Sequence, residues 1–378
     1  MERLPTVILA FCLAVAVVFV RAPDAFFAPQ FWAEDANVFW IAQYQHGFAA
    51  SLLAPYAGYL HAVPRLIAAL ASPLPYGWQP IAYLVLALAV TGWAAATIAA
   101  LPLPRWLAAL AGICVLIVAP RESLANPTNL QWMMAPALPL IAATSAPAGS
   151  LARVNQLVFV ALASLSGPFS ALMIPLWLVC LAVRGRSAFD LALTALALAA
   201  GLAQIVVLAR GDPAIAADVS TVGSLSTAVA EALGTLLRSW PRWLALAAGI
   251  VLLAWSVLAG RFRFQRTICV AFSGLVLCAV AWKFRSGTDW VKIFDGRYVH
   301  VPAAMALFCA LSLLFERGVA KCAGAFGCVA IALAASRTFV RAPVPNFGQQ
   351  WQEASPLIGT RPVEVPIAPS WKLEIPPR

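Results

Sequence analysis

Two adjacent carboxylates, Glu34 and Asp35, stand just beyond the first long apolar run of the chain. On a helix they would lie about 100° apart, close enough to repel each other. Such a pair can hold a divalent metal ion, or one member can act as a base toward a hydroxyl group. A negative pair that stabilises the N-terminus of a helix is the competing interpretation. This motif alone leaves both interpretations open.

Four further candidates stand at a late polar segment between two apolar runs: Lys283, Arg285, Arg297 and Tyr298. Arginine can bind a phosphate through two parallel hydrogen bonds, and lysine supplies a compact charge. Local pairing with the aspartates of the same segment is the alternative, although surface pairs of this kind contribute little stability. We therefore favour a phosphate-bearing ligand for this segment.

A short segment rich in proline and glycine carries Tyr56, Tyr59, His61 and Arg65. Two phenols, an imidazole and a guanidinium on a rigid turn can meet a hydroxylated or phosphorylated ligand. A loop that uses its glycine and prolines only to turn explains the same composition equally well. For His61, a hydrogen-bonded structural role is favoured over metal ligation.

A second polar loop, residues 121–132, packs amide, hydroxyl and indole groups into twelve positions. Asparagine, glutamine and tryptophan bind sugars through hydrogen bonds to hydroxyls and through ring stacking. Capping and turn roles are equally available to Asn126 and Thr128, so this loop adds only modest weight by itself. The candidate sugar or acceptor residues here are Glu122, Asn126, Asn129, Gln131 and Trp132.

The elements that must position these residues are apolar helices. Of the 378 residues, 62% are hydrophobic and only 11% are charged, and the mean hydropathy is +0.86, whereas soluble domains carry roughly a quarter charged residues. This composition excludes a soluble globular domain, a disordered chain and a small disulfide-stapled module. The sequence therefore predicts an all-α polytopic membrane domain over residues 1–340 and a proline-rich tail over 341–378.

Apolar windows between charges and Pro or Gly breaks predict about 11 transmembrane helices, each of which needs roughly 20 residues to cross a bilayer. Several windows are shorter than that, so some helices are expected to tilt little or to thin the bilayer. The eight cysteines lie in or at the ends of these windows and are interpreted as small hydrophobic residues. The windows are 4–20, 80–101, 106–119, 130–146, 154–166, 169–183, 188–209, 243–260, 267–282, 301–315 and 322–340.

The distribution of basic residues predicts the orientation. With the N-terminus in the cytoplasm, the short inner turns carry far more basic than acidic residues, as the positive-inside rule requires. The basic block 261–266 is then a topology anchor, and its short turn offers no platform for nucleic acid. The long loops, including 21–79 with its expected interfacial helices, lie outside. There Trp40, Tyr44 and Phe48 repeat every four residues and predict an aromatic stripe at the membrane interface.

Taken together, an acidic pair in a long first outer loop, an Asn/Gln/Trp loop and an Arg-Tyr pair before a late helix resemble the GT-C superfamily of membrane glycosyltransferases. The resemblance implies an enzyme of the bacterial inner membrane that moves a sugar, with inversion, from a polyprenyl-phosphate donor to an extracytoplasmic glycan or lipid. It implies Asp35, beside Glu34, as the base or as a ligand of Mg²⁺ or Mn²⁺. It places Arg297, with Lys283 or Arg285, at the donor phosphate.

The tail resembles the close of some uncharacterised bacterial members, whereas the large soluble C-terminal domain of others is missing. A transporter or flippase for lipid-linked sugars is the main alternative, and a polymerase-like or scaffolding membrane protein is a third. Ion-coupled transport usually leaves charged residues inside the spans. Here Gln204 is the main polar residue in a predicted helix interior, which favours a site at the membrane surface.

Overall fold

The computed structural model describes residues 3–184, 187–210, 260–283, 296–336 and 344–378. Within these ranges the chain is mostly helical, as the sequence predicts, with one two-stranded antiparallel hairpin near the C-terminus. The helices are α1 (Leu4–Arg21), α2 (Pro23–Phe27), α3 (Ile41–Leu52), α4 (Ala62–Ala71), α5 (Gln79–Ala99), α6 (Arg105–Ile117), α7 (Leu130–Met134), α8 (Ala137–Ala143), α9 (Ser150–Ser164), α10 (Phe169–Arg184), α11 (Ala188–Ala209), α12 (Arg263–Lys283), α13 (His300–Leu313), α14 (Val319–Ser336) and α15 (Gly348–Ala354).

Four helices of the described ranges are long and apolar enough to cross a membrane: α1, α5 with the turn before it, α11 and α12. Six other apolar helices have between 10 and 17 residues. This is consistent with a membrane protein, while the count of about 11 spans and the side of the N-terminus stay predictions. The predicted span 243–260 and most of the loops around it, together with Arg285, lie outside the described residues.

The predicted span 130–146 is not one continuous helix. The chain there forms two short helices, α7 and α8, that are interrupted at residues 135 and 136. Pro136 has no N–H to donate to the preceding turn, and its ring crowds the carbonyl four residues earlier. Both helices are buried along their length, so this segment lies within the bundle rather than at its surface.

The aromatic stripe predicted for the membrane interface is also wrong for two of its three residues. Trp40 and Tyr44 are only 4% and 6% exposed and stack at 5.1 Å. Tyr76 and Trp351 close over Trp40 at 6.1 and 5.5 Å. The C-terminal segment therefore covers these rings, and only Phe48 stays exposed.

The side chain of Gln204 joins α11 both to the turn that precedes α4 and to the end of α9. Helix α9 ends at Ser164 and α10 begins at Phe169, so the apolar stretch that contains both is two helices. The amide of Gln204 in α11 accepts a hydrogen bond from the N–H of Leu60 at 2.8 Å and donates one to the carbonyl of Ser164 at 3.1 Å. This polar residue of a predicted helix interior therefore fixes the end of the segment 56–61.

The C-terminal segment folds onto the first outer loop. Strand β1 (Val363–Ile367) pairs with strand β2 (Trp371–Ile375), with Val365 opposite Leu373, and both of these side chains are buried. In α15 the indole N–H of Trp351 donates to the carbonyl of Tyr76 at 2.8 Å. The proline-rich tail is thus an ordered part of the fold.

Gly112 allows α6 to pack against α5, because a Cβ there would lie 2.5 Å from the carbonyl oxygen of Ala95. We expect Gly112→Ala to lower the stability of the purified protein by about 1 to 3 kcal/mol through overpacking. Gly274→Ala is the matched control, since Gly274 is also in a helix but a Cβ there meets no atom within 4 Å. Thermal unfolding in detergent measures both, and equal melting temperatures for the two variants would contradict this packing.

Candidate functional site

Asp35 is a buried carboxylate whose geometry is set by the second polar loop, residues 121–132. It begins a turn of π-helix, Asp35–Trp40, and is only 2% exposed. Its Oδ1 accepts hydrogen bonds from the backbone N–H of Thr128 at 2.8 Å and from the Thr128 hydroxyl at 2.6 Å. Within the described ranges, no donor reaches Oδ2. One oxygen is therefore held and the other is left for a proton or a ligand.

Burial raises the pKa of the Asp35 carboxyl to about 7, because desolvation disfavours the charged form. The two bonds from Thr128 act in the opposite direction, and the negative charge of Glu34 adds to the increase. A carboxyl with a pKa near neutrality can accept a proton and release it again under physiological conditions. This behaviour is what a general base requires.

The second polar loop, residues 121–132, is held together by hydrogen bonds between its own groups. Asn126 caps the 3₁₀ turn Pro127–Asn129, and its Oδ1 accepts from the Asn129 backbone at 3.2 Å and from the Asn129 side chain at 2.9 Å. Both side-chain amides also donate to the backbone carbonyl of Glu122, at 2.8 and 2.9 Å. The capping role left open for Asn126 is therefore present in the structure.

Arg297 begins the 3₁₀ turn that leads into α13. Its guanidinium donates to Oδ1 of Asn129 at 3.2 Å, and its backbone N–H donates to a carboxylate oxygen of Glu122 at 3.1 Å. Burial lowers the pKa of Arg297, but the Tyr298 phenol and the carboxylates of Glu122 and Glu34 outweigh that effect and raise it. The side chain is therefore a permanent cation at a fixed place.

One turn of the second loop joins the carboxylate to the cation. Thr128 bonds to Asp35, and Asn129, the next residue, bonds to Arg297. Consecutive Cα atoms are about 3.8 Å apart, so the two groups meet at the same short stretch of backbone although 262 positions separate them in sequence. From the sequence, Thr128 was predicted to have a capping or turn role and was not among the candidate site residues. Its place between Asn126 and Asn129 was the available signal.

Two cations and an indole lie close to the ring of Tyr298. The ammonium of Lys283 lies 5.5 Å from the ring centroid, and the guanidinium of Arg297 lies 5.7 Å from it. Trp132 meets the same ring edge-on at 5.6 Å. Lys283 and Arg297 are thus neighbours in space, as a shared phosphate ligand would need.

His61 is the centre of a neighbouring aromatic cluster formed with Tyr56, Tyr59 and Phe39, with ring distances from 4.5 to 5.7 Å. Burial lowers its pKa to about 3, so the ring is neutral. Its Nε2 lies 3.2 Å from the Tyr56 carbonyl oxygen, which only accepts, so Nε2 carries the proton. Arg65 stacks on Phe39 at 5.3 Å and donates to the Ala54 carbonyl at 3.1 Å.

The cluster meets the second loop through Tyr59, whose hydroxyl accepts from the Gln131 side chain at 3.3 Å. Gly167 permits this approach, since a Cβ there would lie 2.5 Å from Oε1 of Gln131. Oε1 of Gln131 and Nε1 of Trp132 are buried, and neither has a hydrogen-bond partner within the described ranges. An acceptor and a donor are thus left beside the two cations.

The candidate residues therefore fall into two connected groups. Contacts link those around the second loop, whereas the turn before α4 forms its own cluster; Arg285 lies outside the described ranges. The first group is Glu34, Asp35, Glu122, Asn126, Asn129, Gln131, Trp132, Lys283, Arg297 and Tyr298, and the second is Tyr56, Tyr59, His61 and Arg65. No protein family model, curated protein or solved structure matches the chain.

The donor atoms of this site do not form a complete set for Mg²⁺ or Mn²⁺. The parts of the chain that the structure describes contain no group of three or more His, Cys, Asp or Glu side chains able to hold a metal ion. Glu34 and Asp35 offer two carboxylates, and one oxygen of Asp35 is already bonded to Thr128. The steps argued below therefore use side chains alone.

A cleft of about 390 Å³ lies behind the site. It shares Trp32 and Asn126 with the site's surroundings, and an ion pair of Asp24 with Arg121 lies in its wall. Asp35 and Arg297 do not line it. Asp35 itself is nearly inaccessible, at 2% exposed.

The raised pKa of Asp35 predicts a dependence of stability on pH. Between about pH 4 and pH 7 the folded protein holds a proton that the unfolded chain has released, so stability falls as the pH rises, by up to about 1.4 kcal/mol per unit. Asp35→Asn lacks this proton exchange. We expect the melting temperature of Asp35→Asn to rise relative to that of wild type between pH 4.5 and pH 7.5.

Glu353→Gln removes a carboxylate at an exposed position of α15 and serves as the matched control. Its difference from wild type should stay constant over the same range. If wild type and Asp35→Asn instead keep a constant difference, then the carboxyl of Asp35 is not the group that holds the proton.

Proposed function

We propose that this protein is a membrane glycosyltransferase that moves a sugar from a polyprenyl-phosphate donor to an acceptor hydroxyl. The observation that carries the proposal is the junction of Asp35 and Arg297 through the consecutive residues Thr128 and Asn129. A glycosyl transfer needs a base for the acceptor and a positive charge for the leaving phosphate. This junction supplies both within one short stretch of chain.

Asp35 is the base in this proposal. Its ionised Oδ2 takes the proton of the acceptor hydroxyl while the hydroxyl oxygen attacks the anomeric carbon. The bond from that carbon to the phosphate oxygen breaks, and its electron pair leaves with the lipid phosphate. The attack from the opposite face inverts the anomeric centre. Base assistance of this kind contributes a factor of about 10² to 10⁴ in rate.

Arg297 and Lys283 stabilise the departing phosphate. Arg297 is held by Asn129 and Glu122 before any donor binds, so little reorganisation is needed as the negative charge develops. Lys283 adds a second charge near the same Tyr298 ring. Two cations near one ring fit a phosphate better than they fit a neutral ligand.

The sugar ring would lie between these charges and the second loop. Gln131 provides an acceptor and Trp132 a donor, and both atoms are buried without partners in the described part of the chain. Sugar hydroxyls can satisfy both, and the rings of Trp132 and Tyr298 provide apolar surface for the sugar face. Tyr59 and His61 support this wall from the first loop.

The proposal places the site on the non-cytoplasmic side of a bacterial inner membrane, with the N-terminus in the cytoplasm. The four long apolar helices support a membrane location, and the excess of basic over acidic residues in the short turns supports this orientation. Transport is the less favoured function, because Gln204, the main polar side chain of a predicted helix interior, already binds backbone groups of Leu60 and Ser164.

Asp35→Asn is expected to abolish transfer while the protein stays folded and inserted, because the amide cannot accept the acceptor proton. Proteoliposomes are given undecaprenyl phosphate carrying labelled glucose, galactose, mannose or arabinose in turn. Release of free polyprenyl phosphate is measured. We expect at least about a 100-fold loss, against near wild-type rates for Glu353→Gln.

Two results would contradict the proposal. Wild-type release by Asp35→Asn would exclude Asp35 as the base. Movement of intact sugar-lipid across the bilayer by wild type, without bond cleavage, would instead indicate a flippase. Glycan staining of cells that lack the native copy gives the same comparison in vivo.

Arg297→Lys keeps the charge but loses the planar fork that bonds Asn129. We expect a smaller fall in kcat than for Arg297→Gln, which removes the charge as well. The same release assay ranks the three proteins. If Arg297→Gln equals wild type at saturating donor, Arg297 does not stabilise the leaving phosphate.

A further inference from the structure

The C-terminal segment 344–378 lies along the first outer loop and bonds to it at several points. At one end, the side chain of Gln30 accepts from the N–H of Phe347 at 2.8 Å and donates to the carbonyl of Pro345 at 2.9 Å. At the other end, the Tyr44 hydroxyl donates to the Pro376 carbonyl at 3.1 Å. The residues between Gln30 and Tyr44 include the acidic pair.

Two of these contacts lie on either side of Glu34 and Asp35. The N–H of Ala33 donates to the carbonyl of Ala368 at 2.6 Å, immediately before the pair. The side-chain amide of Asn37 donates to the carbonyl of Lys372 at 3.1 Å, two residues after it. Both acceptors belong to the hairpin or its connection, so one element holds the chain before and after the carboxylates.

The backbone at Ala33 is unusual, because its φ is +26° and L residues rarely adopt positive φ. Such a conformation persists where surrounding contacts determine it. Here Ala368 bonds on both sides, donating to the Phe31 carbonyl at 3.3 Å and accepting from Ala33. The sharp turn that follows lets the N–H of Asp35 donate to the Trp32 carbonyl at 2.6 Å.

The segment after Ala33 is also irregular. Residues Asp35–Trp40 form a π-helix, a conformation that is rare and occurs mostly as short insertions at functional sites. Asn37 lies within it and is the residue that bonds the hairpin. The direction in which the carboxylate of Asp35 points therefore depends on two irregular backbone stretches, each in contact with the C-terminal hairpin.

Contacts of Pro376 and Arg378 with Tyr44 complete this arrangement. The guanidinium of Arg378 lies 4.2 Å from the centroid of the Tyr44 ring and donates to the Tyr44 carbonyl at 2.6 Å. Together with the Pro376 contact, it fixes the end of β2 against α3. The hairpin is therefore anchored beyond the acidic pair as well as beside it.

We propose that the C-terminal hairpin positions the catalytic carboxylate: Ala368 and Lys372 hold Ala33 and Asn37 so that Asp35 stays bonded to Thr128. Asn37 is then a positioning residue that acts through the backbone of the π-helix and does not contact substrate. The inference rests on the proposed function for its link to catalysis. Its structural part, the restraint of residues 30–44 by the hairpin, can be measured without any activity.

The test compares Asn37→Ala with Asn37→Gln and with Gln43→Ala in the full-length protein in detergent. Asn37→Ala removes the amide that bonds Lys372, Asn37→Gln keeps an amide donor, and Gln43 bonds only serine side chains in the described ranges. Backbone hydrogen exchange over residues 30–44 is expected to rise about fivefold in Asn37→Ala, the effect of losing one hydrogen bond. It should stay near wild type in Gln43→Ala and recover in part in Asn37→Gln.

Kinetics in the release assay separate positioning from simple stabilisation. Asn37→Ala should lower kcat several-fold with the KM for the donor unchanged, because the base is misplaced while the phosphate site is intact. The acidic limb of the pH profile should move to lower pH as Asp35 gains water. Asn37→Gln should restore part of kcat.

Three results would overturn the inference. The first is unchanged hydrogen exchange over residues 30–44 in Asn37→Ala. The second is an equal increase in that exchange in Gln43→Ala. The third is a change in the KM of Asn37→Ala without a change in kcat, which would mean that the hairpin contacts substrate. A wild-type protein without transferase activity would refute the proposed function, and the exchange experiment would still decide whether the hairpin restrains the acidic segment. Arg378→Ala, which removes the contacts of Arg378 with Tyr44, provides a second variant with the same expected exchange pattern.

Discussion

The burial of one carboxylate is the constraint on which the arrangement of the outer loops depends. Removing an ionised carboxylate from water costs several kcal/mol unless hydrogen bonds or a proton compensate. Asp35 uses both, since Thr128 gives two donors and the raised pKa allows a proton. Thr128 can do this only because Asn126 holds the 3₁₀ turn in shape. A single acidic side chain thus requires an ordered second loop.

From that turn the contacts extend to distant parts of the chain. Asn129 accepts a hydrogen bond from Arg297 before α13, and Gln131 donates one to Tyr59 in the first loop. Gln204 in α11 fixes the residue just after Tyr59. Opposite charges therefore occupy one neighbourhood without forming a direct ion pair between Asp35 and Arg297 in the described structure, so neither group neutralises the other before a ligand is present.

The sequence predicted the helical class and the polar loops, because composition and apolar run length report directly on burial in a membrane. It misplaced Trp40 and Tyr44, since a period of four cannot distinguish a lipid neighbour from a protein neighbour such as Trp351. It passed over Thr128, because a hydroxyl in a polar turn is usually a capping group. The sequence did not predict the position of the C-terminal segment, because no local pattern encodes a contact between Asn37 and Lys372.

That last contact joins residues 335 positions apart, which has a consequence for biosynthesis. The Asn37 side of this contact is synthesised 335 residues before the Lys372 side. At about 5 to 20 residues per second, the loop waits for roughly 20 to 70 seconds before the hairpin exists. A nascent chain therefore holds an unfinished centre until the hairpin has been made, and maturation of the centre is tied to synthesis of that hairpin.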